Sequence, residues 1–160
     1  YFEIIRQKTA SLISACCAIG VSSVTNNSEY LKKIKILGEY IGIAFQIKDD
    51  LFDYGSKKIG KPIGIDIKDQ KMTLPFIFCM NNSNSKDKKW LINSIKNHNK
   101  NKKRVKEIIS FVNKNGGIEY AKEKMEEFKL KAVKILKSFS KNKYRDSLEM
   151  TINYVISRNQ

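Results

Sequence analysis

Long apolar runs are missing from this 160-residue sequence: Lys, Glu or Asn interrupts each hydrophobic stretch well short of the roughly 18 apolar residues that a membrane span requires. No transmembrane segment is expected. Cysteine is scarce as well, with Cys16 and Cys17 adjacent and Cys79 alone, which excludes an even disulfide framework and paired metal-ligand spacing. A reducing cytosol, and so a cytoplasmic location, fits best. The single histidine, His98, lies among Asn and Lys and reads as a surface residue. There is neither an initiator methionine nor signal-peptide anatomy at the start, which therefore reads as internal. Acid is outnumbered, with 16 Asp and Glu against 31 Lys and Arg and a formal net charge of +15. Such an excess ordinarily points to nucleic acid or an anionic membrane. Here it is nearly all Lys, scattered among Asn and Ile, and reads as solvated helix faces. Even the Lys-rich residues 86–106 lack helix-turn-helix or zinc-finger spacing and interleaved aromatics, so no nucleic-acid partner is expected.

Strand-like alternation is also absent, and what remains is helical periodicity. Apolar residues at Phe2, Ile5, Leu12, Ile13, Cys16 and Ile19 predict a helix over 1–24, closed by Asn26-Asn27-Ser28. From Ser28, an expected N-cap, a second helix continues to about Tyr54 and is apolar on most sides, as at the centre of a bundle. Gly55 to Gly64, with Pro62, predicts a loop. A short apolar helix over 71–80, entered through Thr73 and Pro75, precedes a polar loop from Asn81 to Asp87. Two helices within 88–114 are interrupted near His98, and Asn115-Gly116-Gly117 closes them. An amphipathic helix over 118–139 and a last one over about 144–157 complete an all-α chain.

One segment carries chemistry. In Phe45-Gln46-Ile47-Lys48-Asp49-Asp50-Leu51-Phe52-Asp53, helical spacing puts Gln46, Asp49, Asp50 and Asp53 towards a shared side. Like charges at that spacing repel, and an apolar helix adds a desolvation cost, so something cationic is expected to offset them. A hard divalent ion with oxygen ligands is the natural candidate; magnesium takes one or two carboxylates together with waters and phosphate oxygens. Lys57, Lys58, Lys61, Lys68 and Lys71 follow closely and could neutralise further phosphate charge. The plainer alternative is an acidic helix end in solvent, with the lysines as background.

The ordered set Gly42 to Tyr54, then Ile59-Gly60-Lys61-Pro62-Ile63-Gly64-Ile65-Asp66 and Lys71-Met72-Thr73-Leu74-Pro75, resembles the second aspartate-rich region of polyprenyl synthetases. Lys8-Thr9-Ala10 is similar to that family's lysine-threonine pair, Gly116 to Ala121 to its late helix start, and Tyr154 to Arg158 to its C-terminus. The resemblance implies an all-α isoprenoid-synthase bundle, of which 1–160 would be the C-terminal part of a single domain. It also implies an enzyme, usually a homodimer, that joins an allylic diphosphate to isopentenyl diphosphate head to tail with magnesium as cofactor. By the same resemblance Asp49 would ligate magnesium, with Asp50 and Asp53 acting directly or through bound water. Lys8 and Lys61 would hold diphosphate oxygens, Thr9 and Gln46 would lie beside the developing allylic cation, and Asp66 and Lys71 would organise a loop over the site. The family's first aspartate-rich motif has no counterpart in these residues, so half a site and no turnover by this chain alone are expected. Two other readings compete: a non-catalytic helical subunit that docks on a separate catalytic chain, and a terpene cyclase. Against the latter, the usual second metal motif of cyclases mixes Asn, Ser or Thr with acids, unlike Asp49-Asp50-Leu51-Phe52-Asp53.

Overall fold

The computed structural model describes residues 1–55 and 63–158. Among these residues there is no strand, and the all-α architecture stands. In chain order the helices are α1 (Phe2–Ile5), a π-helical turn (Arg6–Ala10), α2 (Ser11–Ser22), α3 (Ser28–Phe52), α4 (Ile65–Lys68), α5 (Leu74–Asn82), α6 (Ser85–Asn97), α7 (Lys102–Lys114), α8 (Gly117–Lys137) and α9 (Lys143–Ser157).

Several ends differ from the sequence reading, each for a local reason. Asn27, not Ser28, caps α3: its Oδ1 accepts from the Glu29 and Tyr30 amides at 3.0 Å each. The expected loop from Asn81 to Asp87 shrinks to two residues, because α5 runs on to Asn82 and Asn84 caps α6 by accepting from the Asp87 amide at 2.9 Å. The four-residue helix α4 was not foreseen. It follows Gly64, whose φ of +75° suits glycine and whose added Cβ would stand 2.4 Å from Val105 Cγ1.

One helix bears on the membrane expectation. The continuous helix Phe2–Ser22 has 21 residues and a window of mean hydropathy 1.2, long and apolar enough by length and composition to cross a membrane. The interrupting charges Glu3, Arg6 and Lys8 cluster early, and the run from Ala10 to Val21 keeps the average high. No other described helix meets that test. The lysine reading is supported, since every lysine from Lys86 to Lys106 is exposed.

The chain forms two compact units. One comprises Tyr1 with Asp49–Glu123, and its core is built on Tyr54, Ile67, Phe76, Cys79, Leu91, Ile95, Val105, Ile108 and Val112. Burial pushes the Cys79 thiol up to about 11, which keeps it a neutral packing group. Ser94 lies in this unit with 0% exposure, and its hydroxyl has no hydrogen-bond partner among the described residues. A buried hydroxyl without a partner costs free energy, and alanine is also the better helix former. Ser94→Ala is therefore expected to stabilise the chain by about 1 kcal/mol, read as a higher urea midpoint at constant m-value; a lower midpoint would show that the hydroxyl is satisfied in solution.

The other unit comprises Phe2–Lys48 with Lys124–Gln160. Its core gathers Ile34, Leu37 and Ala44 from α3, Leu136 from α8, and Ile152 and Ile156 from α9. Here α3 approaches the first helix at van der Waals limits. A Cβ on Gly42 would lie 2.4 Å from Ala10 Cα, and one on Gly38 would lie 2.8 Å from Ser14 Cα. Glycines four apart on α3 thus meet small residues four apart on the facing helix. Ser14 adds a hydroxyl bond of 2.8 Å to the Lys35 carbonyl.

Candidate active site

Lys8 and Thr9 sit in the π-helical turn, where the Ser11 amide reaches back five residues to the Arg6 carbonyl. Turns of this kind insert one extra residue into a helix and recur at functional sites. In the same unit, Ala10 packs on Gly42, and one turn further along α3 Thr9 Oγ1 donates to Gln46 Oε1 at 2.7 Å. The structure therefore brings Thr9 and Gln46 together, as a half-buried pair, while Lys8 is exposed. Close by, the Arg158 guanidinium lies 4.6 Å from the centroid of the Phe45 ring.

The other unit holds the carboxylates. Asp49 is partly exposed near the end of α3, whereas Asp50 and Asp53 are 7% and 8% exposed. Neutral donors of the protein hold two of these acids. Tyr1 Oη donates to Asp50 Oδ2 at 2.6 Å. Burial, followed by the adjacent Asp50 charge, pushes the Tyr1 phenol well above the usual tyrosine range. Asp53 accepts from two backbone amides, Ile65 N–H to Oδ1 at 2.7 Å and Asp66 N–H to Oδ2 at 3.2 Å. Its own carbonyl accepts from the Gly64 amide at 3.1 Å. Burial and the Asp66 charge raise the Asp53 carboxyl, with the amide bonds acting in the opposite sense.

Asp66 and Lys71 form an ion pair. Lys71 Nζ lies 3.1 Å from Asp66 Oδ1 and 3.1 Å from Asp69 Oδ2, and these bonds raise its ammonium above the usual lysine range, Asp66 foremost. Lys57, Lys58 and Lys61 lie outside the described residues. Three contacts here carry no sequence signal. Tyr54 Oη and Thr73 Oγ1 form a buried 2.6 Å hydrogen bond between the end of α3 and the start of α5. Gln70, at φ +57°, donates to the Lys96 carbonyl at 2.9 Å. Asn99 donates to the Lys68 carbonyl at 2.5 Å.

Among the described residues, no three Asp, Glu, His or Cys side chains form a ready cage for an ion. The donors present are carboxylate oxygens, one pair adjacent and one a turn away. That set fits magnesium, which takes few protein ligands and completes its octahedron with water and phosphate oxygens.

The all-helical chain, with acids closing a long helix and an acid-lysine pair beyond it, has the isoprenoid-synthase fold of the solved structures on which it superposes. The polyprenyl synthetase family model matches residues 1–112. A short chain isoprenyl diphosphate synthase of Methanocaldococcus jannaschii is 36% identical over 124 residues, 76% of this chain and 37% of that protein. The geranylgeranyl pyrophosphate synthase of Bacteroides thetaiotaomicron superposes with a TM-score of 0.91 at 37% identity, covering 99% of this chain and 52% of that one. A polyprenyl synthase of Caulobacter crescentus, complexed with calcium and isoprenyl diphosphate, superposes at 0.90 with 26% identity, covering 100% of this chain and 49% of that one. This chain belongs to the polyprenyl synthetase family. It spans about half the length, or less, of the relatives it matches.

Proposed function

We propose that residues 1–160 are the C-terminal part of a magnesium-dependent prenyltransferase that condenses an allylic diphosphate with isopentenyl diphosphate. The observation that supports this most is the carboxylate set, in which Asp50 and Asp53 are nearly buried at the end of α3 and each is held by its own donors. A solvated helix end would have no need of such donors.

In this reading Asp49 and Asp50 hold the metal, and Asp53, with both oxygens bonded to backbone amides, acts through water. When bound, magnesium offsets the negative charge that grows on the departing diphosphate. Lys8 and Lys61 hold diphosphate oxygens in the same sense. As the allylic C–O bond breaks, its electron pair leaves with diphosphate. By the family resemblance Thr9 and Gln46, joined by their own hydrogen bond, would lie beside the allylic cation. The double bond of isopentenyl diphosphate then attacks the cation carbon, and diphosphate takes the proton that is lost, so no histidine base is needed. Asp66 and Lys71, joined as an ion pair, organise the loop over the site. A homodimer and a cytosolic site of action complete the proposal. They are supported by the exposed apolar residues Ile4, Leu12 and Ile19 along one helix and by three free thiols.

Isothermal titration of a non-hydrolysable allylic diphosphate analogue into this chain tests the reading. Binding is expected to be at least tenfold tighter with magnesium than with chelator, as for a ligand whose charge a metal must bridge. Equal binding in the two conditions, by folded protein, would overturn the assignment.

A further inference from the structure

Each nearly buried acid of the motif is held by a different part of the chain. Asp53 is secured by the amides of Ile65 and Asp66, twelve and thirteen residues on. Asp50 is secured by Tyr1, forty-nine residues away, in an O–H···O bond of 2.6 Å. That length is characteristic of a hydroxyl donating to an ionised carboxylate, a stronger and more directional bond than one between neutral groups. A carboxylate on the last turn of a helix has free rotation about its terminal bond, and a fixed donor on one oxygen aims the other.

We propose that Tyr1 is a positioning residue of the magnesium-diphosphate site: its phenol holds Asp50 Oδ2 and so fixes the orientation of the Asp50 carboxylate. The inference rests on the site reading above, because it requires Asp50 to take part in binding the metal. In this role Tyr1 acts through Asp50 and not on the metal or the substrate itself. Its action is that of the outer partners which orient metal-binding carboxylates, whose removal typically weakens metal affinity by about 10–100-fold.

Tyr1→Phe keeps the ring and removes only the hydroxyl. Two measurements are made on wild type, Tyr1→Phe, Asp50→Asn and the double variant. The first is the urea midpoint, where the effects of Tyr1→Phe and Asp50→Asn should be non-additive if the bond exists in solution. The second is the magnesium concentration needed for half-maximal binding of the allylic diphosphate analogue, which should rise by about tenfold or more in Tyr1→Phe. In the Asp50→Asn background, Tyr1→Phe should cause no further rise. A purely structural Tyr1 would lower the midpoint and leave the magnesium requirement unchanged, and that result would overturn the proposal. Additive midpoints would overturn it too. If wild type itself shows no magnesium-dependent binding, the site reading fails and the positioning role falls with it. That outcome is distinct from a wild type that binds normally beside an unaltered Tyr1→Phe.

Discussion

Asp49→Ala is expected to lower kcat for chain elongation by about 10²–10³-fold in the whole enzyme, the usual cost of deleting one group that stabilises charge in a transition state. Its thermal midpoint should change little by comparison. The two halves of this expectation come from different physics. Asp49 is only partly buried, so its truncation removes little packed surface, whereas the chemistry loses a charged ligand. Asp50 and Asp53 are less suitable probes, because each is nearly buried and its loss would disturb structure as well as chemistry. Steady-state kinetics at saturating substrate over a magnesium titration, alongside a thermal melt, decide the matter. A kcat within threefold of wild type would remove Asp49 from the site.

Gly42→Val should destabilise the unit formed by Phe2–Lys48 with Lys124–Gln160 by roughly 3 kcal/mol, at the upper end for overpacking. A Cβ at Gly42 would stand 2.4 Å from Ala10 Cα and 2.7 Å from Ala10 Cβ. The obstacle is backbone, not the tip of a flexible side chain, so two helices must part. Thr9 is the neighbour of Ala10, and Gln46 is one turn beyond Gly42, so their 2.7 Å bond should be lost in the same step. Gly20→Ala is the matched control. Nothing lies within 4 Å of a Cβ there, so the gain in helix propensity of about 1 kcal/mol should appear as added stability. Urea midpoints of opposite sign for the two variants are the expected result, and a neutral Gly42→Val would show that the close approach does not exist in solution.

Much of the candidate site is legible in the sequence because its chemistry is local. Asp49, Asp50 and Asp53 are placed towards one side by helical spacing alone, whereas the Asp66–Lys71 ion pair was not read from the sequence. The helix count was nearly readable as well, since apolar periodicity is a short-range signal. The misses were local in another way. Asn27 and Asn84 compete with serines and asparagines beside them for the same capping role, and only the backbone geometry selects among them. The π-helical turn at Arg6–Ala10 leaves no mark in composition, because its single extra residue can be almost any type.

By itself, the sequence determined the all-helical class, the long apolar helix and the acids at its end, because hydrophobic period and carboxylate spacing act between residues within one or two turns. Only the tertiary structure decided what holds those acids. A phenol at Tyr1 reaches Asp50, the amides of Ile65 and Asp66 close on Asp53, and Gly42 admits Ala10 so that Thr9 meets Gln46. These partners are 12 to 49 residues apart in the chain. Hydrogen bonds over that range depend on where whole helices pack, and no periodicity in the sequence encodes that placement.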